Sequence, residues 1–369
     1  MKAFAAQLLP LASIDWKKLI PGLGKANRAL ALYDGILYAL PNPAVLLSPL
    51  TTQEAVLSSR IEGTQATLGE VLKFEAGEKI EDENKQQDIQ EIVNYRKALL
   101  KAGKELKIKP FNLNLLLALH EILLDSVRGR NKARGQFRRL QNWISAPGSK
   151  IEQAQFIPPD PSQLPSLLDN WEKYYHGEDS DPLVQLAIVH AQFEIIHPFL
   201  DGNGRLGRIL IPLFLFEKSI LSRPMLYLST YLEAHRDEYV ERLHALQEPA
   251  AWEEWIGFFL RAVAHQAEAN AGAARQILEL YGRLKAQMIE LTHSQYAVPL
   301  LDYLFKRPVF QSSELAGQKS MPSTPMVMNL LKKLKAQGIL KVIREGSGRR
   351  AQVLAFPELI NLCEGKEVI

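Results

Sequence analysis

The stretch His197-Pro-Phe-Leu-Asp-Gly-Asn-Gly-Arg-Leu-Gly-Arg208 joins two apolar segments that both have helical periodicity. Pro198 disfavours the helical conformation in the residue before it, so the first helix is expected to end at His197. Gly202 and Gly204 allow the backbone to pass close to a ligand before the second helix begins. The stretch therefore predicts a short loop between two helices.

The beginning of the second helix has the features of an anion site. The first N–H groups of a helix lack intrahelical partners, and the helix dipole favours negative charge there. Arg205 and Arg208 are three residues apart, so both side chains can reach the same side of this helix start. We therefore expect the loop to bind phosphates, with His197 at its rim.

Each residue of the loop, taken singly, has another interpretation. A lone histidine such as His197 is most often an ordinary helix-end residue that the dipole stabilises. A hairpin turn would need alternating strands on both sides, and the flanking segments do not alternate. Gly202, Gly204 and Gly207 match the dinucleotide-binding pattern, but no strand–helix–strand pattern surrounds them. A calcium loop would need a ligand where Arg205 stands. Only the phosphate loop accounts for all of these residues together.

The stretch resembles the signature of the Fic family, H-P-F-x-[DE]-G-N-G-R-x-x-R, without a departure at any specified position. The matching residues are His197, Pro198, Phe199, Asp201, Gly202, Asn203, Gly204, Arg205 and Arg208. Fic proteins are mostly helical and usually transfer the AMP part of ATP to a hydroxyl side chain of a target protein. The resemblance implies a mostly α fold, with a Fic-type helical core and a short β-hairpin flap.

The resemblance also implies a role for each matched side chain. His197 would be the general base that takes the proton from the attacking hydroxyl, which suits an imidazole with an ordinary pKa of ~6.5. Asp201 would hold a Mg²⁺ ion that bridges the phosphates of ATP, and Phe199 would anchor the loop in the core. Gly202, Asn203 and Gly204 would form the anion pocket, and Arg205 and Arg208 would neutralise the β and γ phosphates.

A second motif precedes the core. Residues 58–63 read Ser-Ser-Arg-Ile-Glu-Gly, and Ser58 and Glu62 lie four apart on one helix face. On its own this would be a solvated helix that ends at Gly63. It resembles the inhibitory motif of the Fic family, [ST]-x-x-x-E-[GN]. The resemblance implies that Glu62 pairs with Arg208, occupies the γ-phosphate site and keeps the resting protein autoinhibited, since a carboxylate and a phosphate compete for one guanidinium.

The stretch 135–159 predicts two short strands, at 141–144 and 155–157. A long surface loop is the alternative. In Fic proteins the matching stretch is a flap that pairs through main-chain bonds with the target segment carrying the hydroxyl. We place that docking edge near Ile157.

Four other ring side chains attract attention. Tyr231 and Tyr239 fall where the Fic family lines its adenine pocket, although ordinary packing explains them as well. His190 lies on the same helix face as His197 and is interpreted as a core residue or a support of the site. His120 has no predicted partner and is interpreted as structural.

The C-terminal part differs in character. From residue 300, two short helices predicted at 300–305 and 313–317 and a longer one at 324–337 precede strands predicted at 340–344 and 352–356. The strands are joined at 345–350, and this order of elements resembles a winged helix. Residues 291–369 contain 11 Lys and Arg against 6 Asp and Glu, whereas the whole chain has 44 against 41 and a net charge of +3. DNA is a possible partner of this part, with Arg349 and Arg350 at a phosphate backbone, and protein contact is the alternative.

The composition predicts a globular protein of two or three domains, for which we expect the ranges 1–105, 106–268 and 269–369. Cys363 is the only cysteine, which favours a reducing compartment. The first thirteen residues superficially resemble a signal peptide, but a Gln and a Pro interrupt the apolar run, and we expect a cytoplasmic location. No apolar run approaches the length of a membrane span. Five prolines in residues 1–50 predict irregular structure with short helices.

The leading hypothesis is a Mg²⁺-dependent protein adenylyltransferase that uses ATP to modify a Tyr, Ser or Thr of a target protein. Other Fic activities remain open: removal of AMP, or transfer of UMP or phosphocholine. A DNA-binding regulator with a nucleotide-sensing Fic domain is the hypothesis from a different class. Self-association is also possible, since it could displace an inhibitory helix.

Overall fold

A computed structural model describes residues 3–126, 132–145, 150–248, 251–348 and 350–368. Over these residues the chain is mostly helical, as predicted, with three short strands. The helices are α1 (Trp16–Ala39), α2 (Pro43–Leu46), α3 (Ser48–Ile61), α4 (Leu68–Glu75), α5 (Glu83–Glu105), α6 (Leu113–Leu123), α7 (Leu164–His176), α8 (Pro182–Ile196), α9 (Asn203–Glu217), α10 (Ser229–Ala234), α11 (Arg236–Ala245), α12 (Trp252–Thr292), α13 (Ala297–Lys306), α14 (Ser312–Ala316), α15 (Thr324–Ala336) and α16 (Pro357–Glu364). The strands are β1 (Val309–Gln311), β2 (Lys341–Arg344) and β3 (Val353–Ala355).

The irregular structure with short helices expected for residues 1–50 is wrong for residues 16–39, whereas residues 3–15 contain no helix and α2 is short. Residues 16–39 form one helix of 24 residues, α1, which includes Pro21. Pro21 lies in the second turn of the helix, so the ring removes one hydrogen bond near an end instead of breaking the middle of the helix. The buried side chains of Leu19, Ala26, Leu30 and Tyr33 recur on one face and hold the helix against the core.

Internal contacts group the chain into two units. The first contains residues 1–34, 57–64 and 94–268, and the second contains residues 35–56, 65–93 and 269–369. The three domain ranges expected from the sequence stay a prediction. Among the described residues, no helix combines the length and the apolar character that crossing a membrane requires.

The first unit is built around α8, which packs against α7 and α9. α8 is apolar on all sides and almost every one of its side chains is buried, as expected of a central helix. Asp181 caps it by accepting hydrogen bonds from the N–H groups of Leu183 and Val184 at 2.7 and 3.2 Å. The buried indole of Trp171 donates to the carbonyl of Val189 at 2.9 Å. The loop after α8 therefore rests on a rigid support.

The second unit contains a three-stranded antiparallel sheet in the order β1-β3-β2. Phe310 of β1 and Val342 of β2 both pair with Leu354 of β3. The predicted helices α13, α14 and α15 and the two predicted strands are present, with ends that differ from the expected ones by at most three residues. The sequence interpretation missed β1 and α16, because a three-residue strand and an eight-residue helix carry little periodic signal.

Candidate active site

The loop between α8 and α9 is held by its own side chains. His197 ends α8 in the left-handed conformation, with φ 48° and ψ 59°, which is unfavourable for a residue with a Cβ and must be fixed by its surroundings. Gly202 precedes α9 with φ 81°, where glycine is favoured. The Asn203 amide accepts from the N–H of Phe199 and donates to its carbonyl, both at 2.9 Å. Both polar atoms of the Asn203 side chain are thus used to hold the loop. Only the backbone N–H of Asn203 is left for the expected anion pocket.

The imidazole of His197 has one nitrogen fixed and one left for chemistry. Nδ1 lies 3.2 Å from the backbone carbonyl of Glu194, and a carbonyl can only accept, so Nδ1 carries the proton and Nε2 presents its lone pair. Burial, together with the charge of Arg138, lowers the pKa of His197 to about 4, against the opposing charges of Glu62 and Asp201. The ring is therefore neutral near pH 7, as a general base must be.

A carboxylate stands at the start of α9. A Cβ on Gly204 would collide with Oε1 of Glu62, so the carboxyl group packs directly against the Gly204 backbone. The same oxygen accepts from Nη2 of Arg208 at 2.6 Å. A helix N-terminus with an adjacent arginine is a site for an anion. In this structure the anion is a side chain of the chain itself.

Arg208 is almost completely buried and turns toward the segment 57–64. Its Nε donates to Oγ of Ser58 and its Nη2 to the carbonyl of Ser58, both at 2.8 Å, in addition to the bond with Glu62. Partial desolvation of the Glu62 carboxyl raises its pKa, but the charge and the hydrogen bond of Arg208, with the charge of Arg205, leave that pKa below its ordinary value. Glu62 is therefore ionised near pH 7. Gly63 follows at φ 104° and ends this turn.

Asp201 is the one loop carboxylate on the expected metal position. Its side chain is 40% exposed and its Oδ1 lies 3.3 Å from Nη2 of Arg205. Among the described residues, no group of three or more His, Cys, Asp or Glu side chains could hold a metal ion. A single accessible carboxylate fits Mg²⁺, which keeps several waters and takes its other ligands from substrate phosphates. It does not fit a metal held by the protein alone.

Arg138 supports the loop and was not predicted. Its backbone N–H donates to the carbonyl of Pro198 at 2.9 Å, and its Nε donates to the carbonyl of His197 at 2.9 Å. Its Nη2 donates to the carbonyl of Pro159 at 2.5 Å. One buried guanidinium thus ties the backbone of the histidine to the end of the stretch expected to form the flap. Burial lowers its pKa to about 10, so it remains charged near pH 7.

His120, interpreted as structural, also holds the loop. Its Nδ1 accepts from the N–H of Gly135 at 2.9 Å, and its Nε2 donates to the carbonyl of Asp201 at 3.1 Å. Its ring stacks on the fully buried ring of Phe199, with centroids 3.9 Å apart. Burial lowers its pKa to about 4. A neutral His120 therefore fixes the position of the Asp201 backbone.

A second buried cluster lies beneath Arg208. Nδ1 of His190 donates to the carbonyl of Gly207 at 3.1 Å, and its Nε2 accepts from the hydroxyl of Tyr239 at 2.9 Å. Oε1 of Glu194 packs against Gly207 and has no hydrogen-bond partner among the described residues. Burial raises the pKa of Glu194 to about 8. Glu194 is therefore largely a neutral acid near pH 7.

The two tyrosines expected at an adenine pocket differ in position. Tyr239 is buried and its hydroxyl serves His190, as described above. Tyr231 is partly exposed and its ring stacks on His235, with centroids 4.0 Å apart. Tyr231 is thus the one that presents a face toward the surface, and the adenine role of both stays a prediction.

The expected flap has less strand structure than predicted. A single antiparallel bridge joins Ile144 to Phe156, instead of the two strands expected at 141–144 and 155–157. Residues 146–149 lie outside the described part of the chain. Ile157 is buried, and its carbonyl accepts from the N–H of Phe4 at 2.8 Å. The predicted docking edge therefore already has a main-chain partner.

Comparison with known sequences decides the family. Residues 20–104 match the Fic/DOC family N-terminal domain and residues 110–215 match the Fic/DOC family domain. The chain belongs to the Fic/DOC family. The second match contains the whole Fic loop, all of α8 and α9 up to residue 215, and the first contains the Glu62 segment.

Two named relatives match this chain over different lengths. The chain is 25% identical over 309 residues, 80% of its length, to a probable protein adenylyltransferase of Aquifex aeolicus, and the match covers 86% of that protein. It is 30% identical over 141 residues to the protein adenylyltransferase Fic of Drosophila ananassae, where the match covers 24% of the fly protein.

Solved structures share the Fic fold. A Fic family protein from Desulfovibrio desulfuricans superposes with a TM-score of 0.58 at 20% identity, over 94% of this chain and 98% of that one. Fic-1 from C. elegans superposes with a TM-score of 0.54 at 22% identity, over 71% and 74%. At these identities the similarity concerns the fold.

Proposed function

We propose that this Fic protein is a protein adenylyltransferase that moves AMP from ATP to a hydroxyl side chain of a target protein. The observation that carries the proposal is the juxtaposition of a neutral histidine, with Nε2 unprotonated, and a helix start where a carboxylate is bound by Arg208. Such a site provides a base for a hydroxyl group and a place for phosphate charge. The names of the relatives in Aquifex and Drosophila support the same activity.

The reaction requires one proton transfer and one displacement. The hydroxyl oxygen of the target forms a bond to the α-phosphorus of ATP, the bond to the β-phosphate oxygen breaks, and pyrophosphate leaves. Nε2 of His197 accepts the hydroxyl proton, while the Nδ1–H bond to the Glu194 carbonyl keeps the ring oriented. Arg205 and Arg208, with the N–H groups at the start of α9, would stabilise the charge on the phosphates.

Mg²⁺ is part of the proposal, with Asp201 as its protein ligand. When bound, the ion would neutralise the phosphate oxygens of ATP. His120 would position Asp201 for this role through its hydrogen bond to the Asp201 carbonyl. The predicted cytoplasmic location stays part of the proposal, because ATP and Mg²⁺ are abundant there.

In the resting state, Glu62 would inhibit the enzyme. Its carboxylate forms the ion pair that the γ-phosphate would make with Arg208, so nucleotide and Glu62 compete for one guanidinium. Ser58 would strengthen this state, since it binds Arg208 through both its hydroxyl and its carbonyl.

The test compares wild type, Glu62→Gly and Glu62→Gly/His197→Ala with α-labelled ATP and Mg²⁺. We expect strong labelling of protein by Glu62→Gly, weak labelling by wild type and none by the double variant. Arg60→Gly is the matched control, because it disturbs the same helix end without touching Arg208. It should label as weakly as wild type.

Nucleotide controls separate the other Fic activities. γ-labelled ATP should leave no label on protein, because the label departs with pyrophosphate. Labelling from α-labelled UTP that exceeds labelling from ATP would contradict adenylylation in favour of UMP transfer. If Glu62→Gly labels with neither nucleotide but wild type releases AMP from modified protein, the activity is AMP removal.

We also propose that residues 297–356 form a winged helix that binds DNA. Lys332, Lys341 and Arg350 have exposed side chains and would contact phosphates. Lys333 and Lys335 instead bond within the unit, to the Leu291 carbonyl and the Gln352 side chain, and Arg349 lies outside the described residues. A gel shift with double-stranded DNA at 50 and 200 mM salt tests this: wild type should bind, more weakly at high salt, and Lys332→Ala/Lys341→Ala should bind less.

A further inference from the structure

The segment 3–9 lies along the edge at Ile157. The N–H of Phe4 donates to the carbonyl of Ile157 at 2.8 Å. The ring of Phe4 packs on the ring of Phe156, with centroids 5.6 Å apart. Along the segment, the side chains at positions 3, 5 and 7 are exposed and those at 4 and 6 are partly buried, as in an extended strand with one face on a surface.

Two side chains of the first unit hold the main chain of this segment further along. Asn170 accepts from the N–H of Leu9 at 2.8 Å and donates to its carbonyl at 2.9 Å. Gln192 donates to the carbonyl of Gln7 at 2.7 Å. These bonds are to backbone atoms, so they would bind an extended peptide of almost any sequence. The contact of Phe4 with Phe156 and the buried side chain of Leu9 are the features that select side chains.

The groove formed by Phe156, Ile157, Asn170 and Gln192 is connected to the catalytic loop. Two residues beyond Ile157, the carbonyl of Pro159 accepts from Arg138, whose Nε donates to the carbonyl of His197. Gln192 lies on α8, five residues before His197. A peptide in the groove is thus bound by the same elements that position the base.

We propose that residues 3–9 occupy the groove in which the acceptor segment of a target docks, and that the groove takes an extended peptide with an aromatic residue against Phe156. The inference rests on the proposed transfer of AMP to a protein hydroxyl. Only one strand can pair along the edge at Ile157, so target and segment compete. The target class is therefore a protein that presents an aromatic residue within an extended segment.

Binding of a synthetic peptide tests the groove without any turnover. The probe is fluorescently labelled AFAAQLLPLA, the sequence of residues 3–12, and it is titrated into full-length variants by anisotropy. Phe4→Asp removes the aromatic contact and should release the segment, so this variant should bind the probe at least tenfold more tightly than wild type. Leu8→Asp is the matched control: it places the same charge on a side chain that is 65% exposed, and it should behave as wild type.

A second substitution checks the main-chain contacts. Adding Asn170→Ala to Phe4→Asp should weaken probe binding roughly tenfold, since two hydrogen bonds are lost. A probe with Asp in place of its Phe should not bind. Equal binding of the probe to wild type and Phe4→Asp, or no binding to either with both variants folded by circular dichroism, overturns the inference.

Transfer in the Glu62→Gly background links the groove to targets. Glu62→Gly/Phe4→Asp should label lysate proteins faster than Glu62→Gly, and the unlabelled peptide should suppress this gain with no change in ATP affinity. If Glu62→Gly labels nothing while the probe still binds Phe4→Asp, the proposed function fails but the groove stands. If labelling occurs and neither Phe4→Asp nor the peptide changes it, docking in this groove is refuted.

Discussion

Replacing Glu62 by Gln should raise the affinity for ATP roughly tenfold. The Glu62–Arg208 contact is a charge-assisted hydrogen bond of 2.6 Å, a class that contributes about 1.5–3 kcal/mol. The Glu62 side chain is 40% exposed, and solvent screening places the value near 1.5 kcal/mol. That free energy corresponds to about one decade in the dissociation constant.

Gln keeps the shape of the side chain against Gly204 and removes only the charge. Glu62→Gly removes both the shape and the charge. ATP affinity should therefore rise from wild type to Glu62→Gln and again to Glu62→Gly. Isothermal titration of ATP in the His197→Ala background measures it, because that background cannot turn the nucleotide over. Glu70→Gln is the control: it breaks an ion pair of equal length, to Lys85 at 2.6 Å, and should leave ATP binding unchanged.

Two results would refute parts of this reasoning. If Glu62→Gln binds ATP no better than wild type while Glu62→Gly does, the block is steric and the charge of Glu62 is irrelevant. If neither variant gains affinity, Glu62 does not stand where a phosphate binds, and the autoinhibition proposal fails with it.

Three further predictions follow from the buried groups. In the Glu62→Gly variant, kcat/KM measured from pH 4 to 8 should stay level down to about pH 5. The reason is that the pKa of His197 is lowered to about 4 and the deprotonated ring is the active form. A fall in kcat/KM with a midpoint near pH 6.5 would contradict this. Arg138→Met should lower the free energy of unfolding by roughly 3 kcal/mol in urea titrations, since buried carbonyls lose their donor, whereas exposed Arg139→Met should change it by less than about 0.5 kcal/mol. For Glu194, the folded-state pKa of about 8 lies above the ordinary 4.5, so the wild type loses stability as pH rises between these values. Glu194→Gln should therefore stabilise the protein little at pH 4.5 and increasingly toward pH 8, by up to about 1.4 kcal/mol per pH unit in urea titrations, and a pH-independent effect would show that Glu194 does not titrate in this range.

The parts of the fold predicted correctly depend on neighbours in sequence. Pro198 and Gly202 bound the loop, and the apolar periodicity of the flanking segments predicts helices, because each signal acts within one or two turns. The short helices and two strands of the C-terminal part carry equally local signals. The mostly helical class follows from the same rules.

The supports of the loop could not be predicted, because they join residues far apart in the chain. Arg138 and Arg139 are chemically identical and adjacent, yet one is buried against the carbonyl of His197 and the other is exposed. His120 reaches Asp201 across 81 positions. No spacing rule connects such pairs. The only local hint was an arginine beside Phe137 in a partly apolar stretch.

In the flap, a local pattern predicted more structure than the chain forms. Alternation predicts strands at 141–144 and 155–157, but pairing requires a partner along the whole length, and the described residues form one bridge between Ile144 and Phe156. Next to this bridge, the carbonyl of Ile157 accepts from the N–H of Phe4. The partners of residues 3–9 could not be predicted, because Phe156, Ile157 and Asn170 lie far along the chain and no local pattern reports such contacts.

The two proposals assign control to separate contacts around the Fic loop. Glu62 engages Arg208 on the nucleotide side, and Phe4 engages Phe156 and Ile157 on the edge proposed for the acceptor; the two sets share no residue. Perturbations at sites without common partners change free energy additively. The gain from Glu62→Gly should therefore appear in ATP affinity and the gain from Phe4→Asp in the KM for the target, and their effects on kcat/KM should multiply. A large departure from multiplication would mean that the two segments move as one, so that release of either already frees the other.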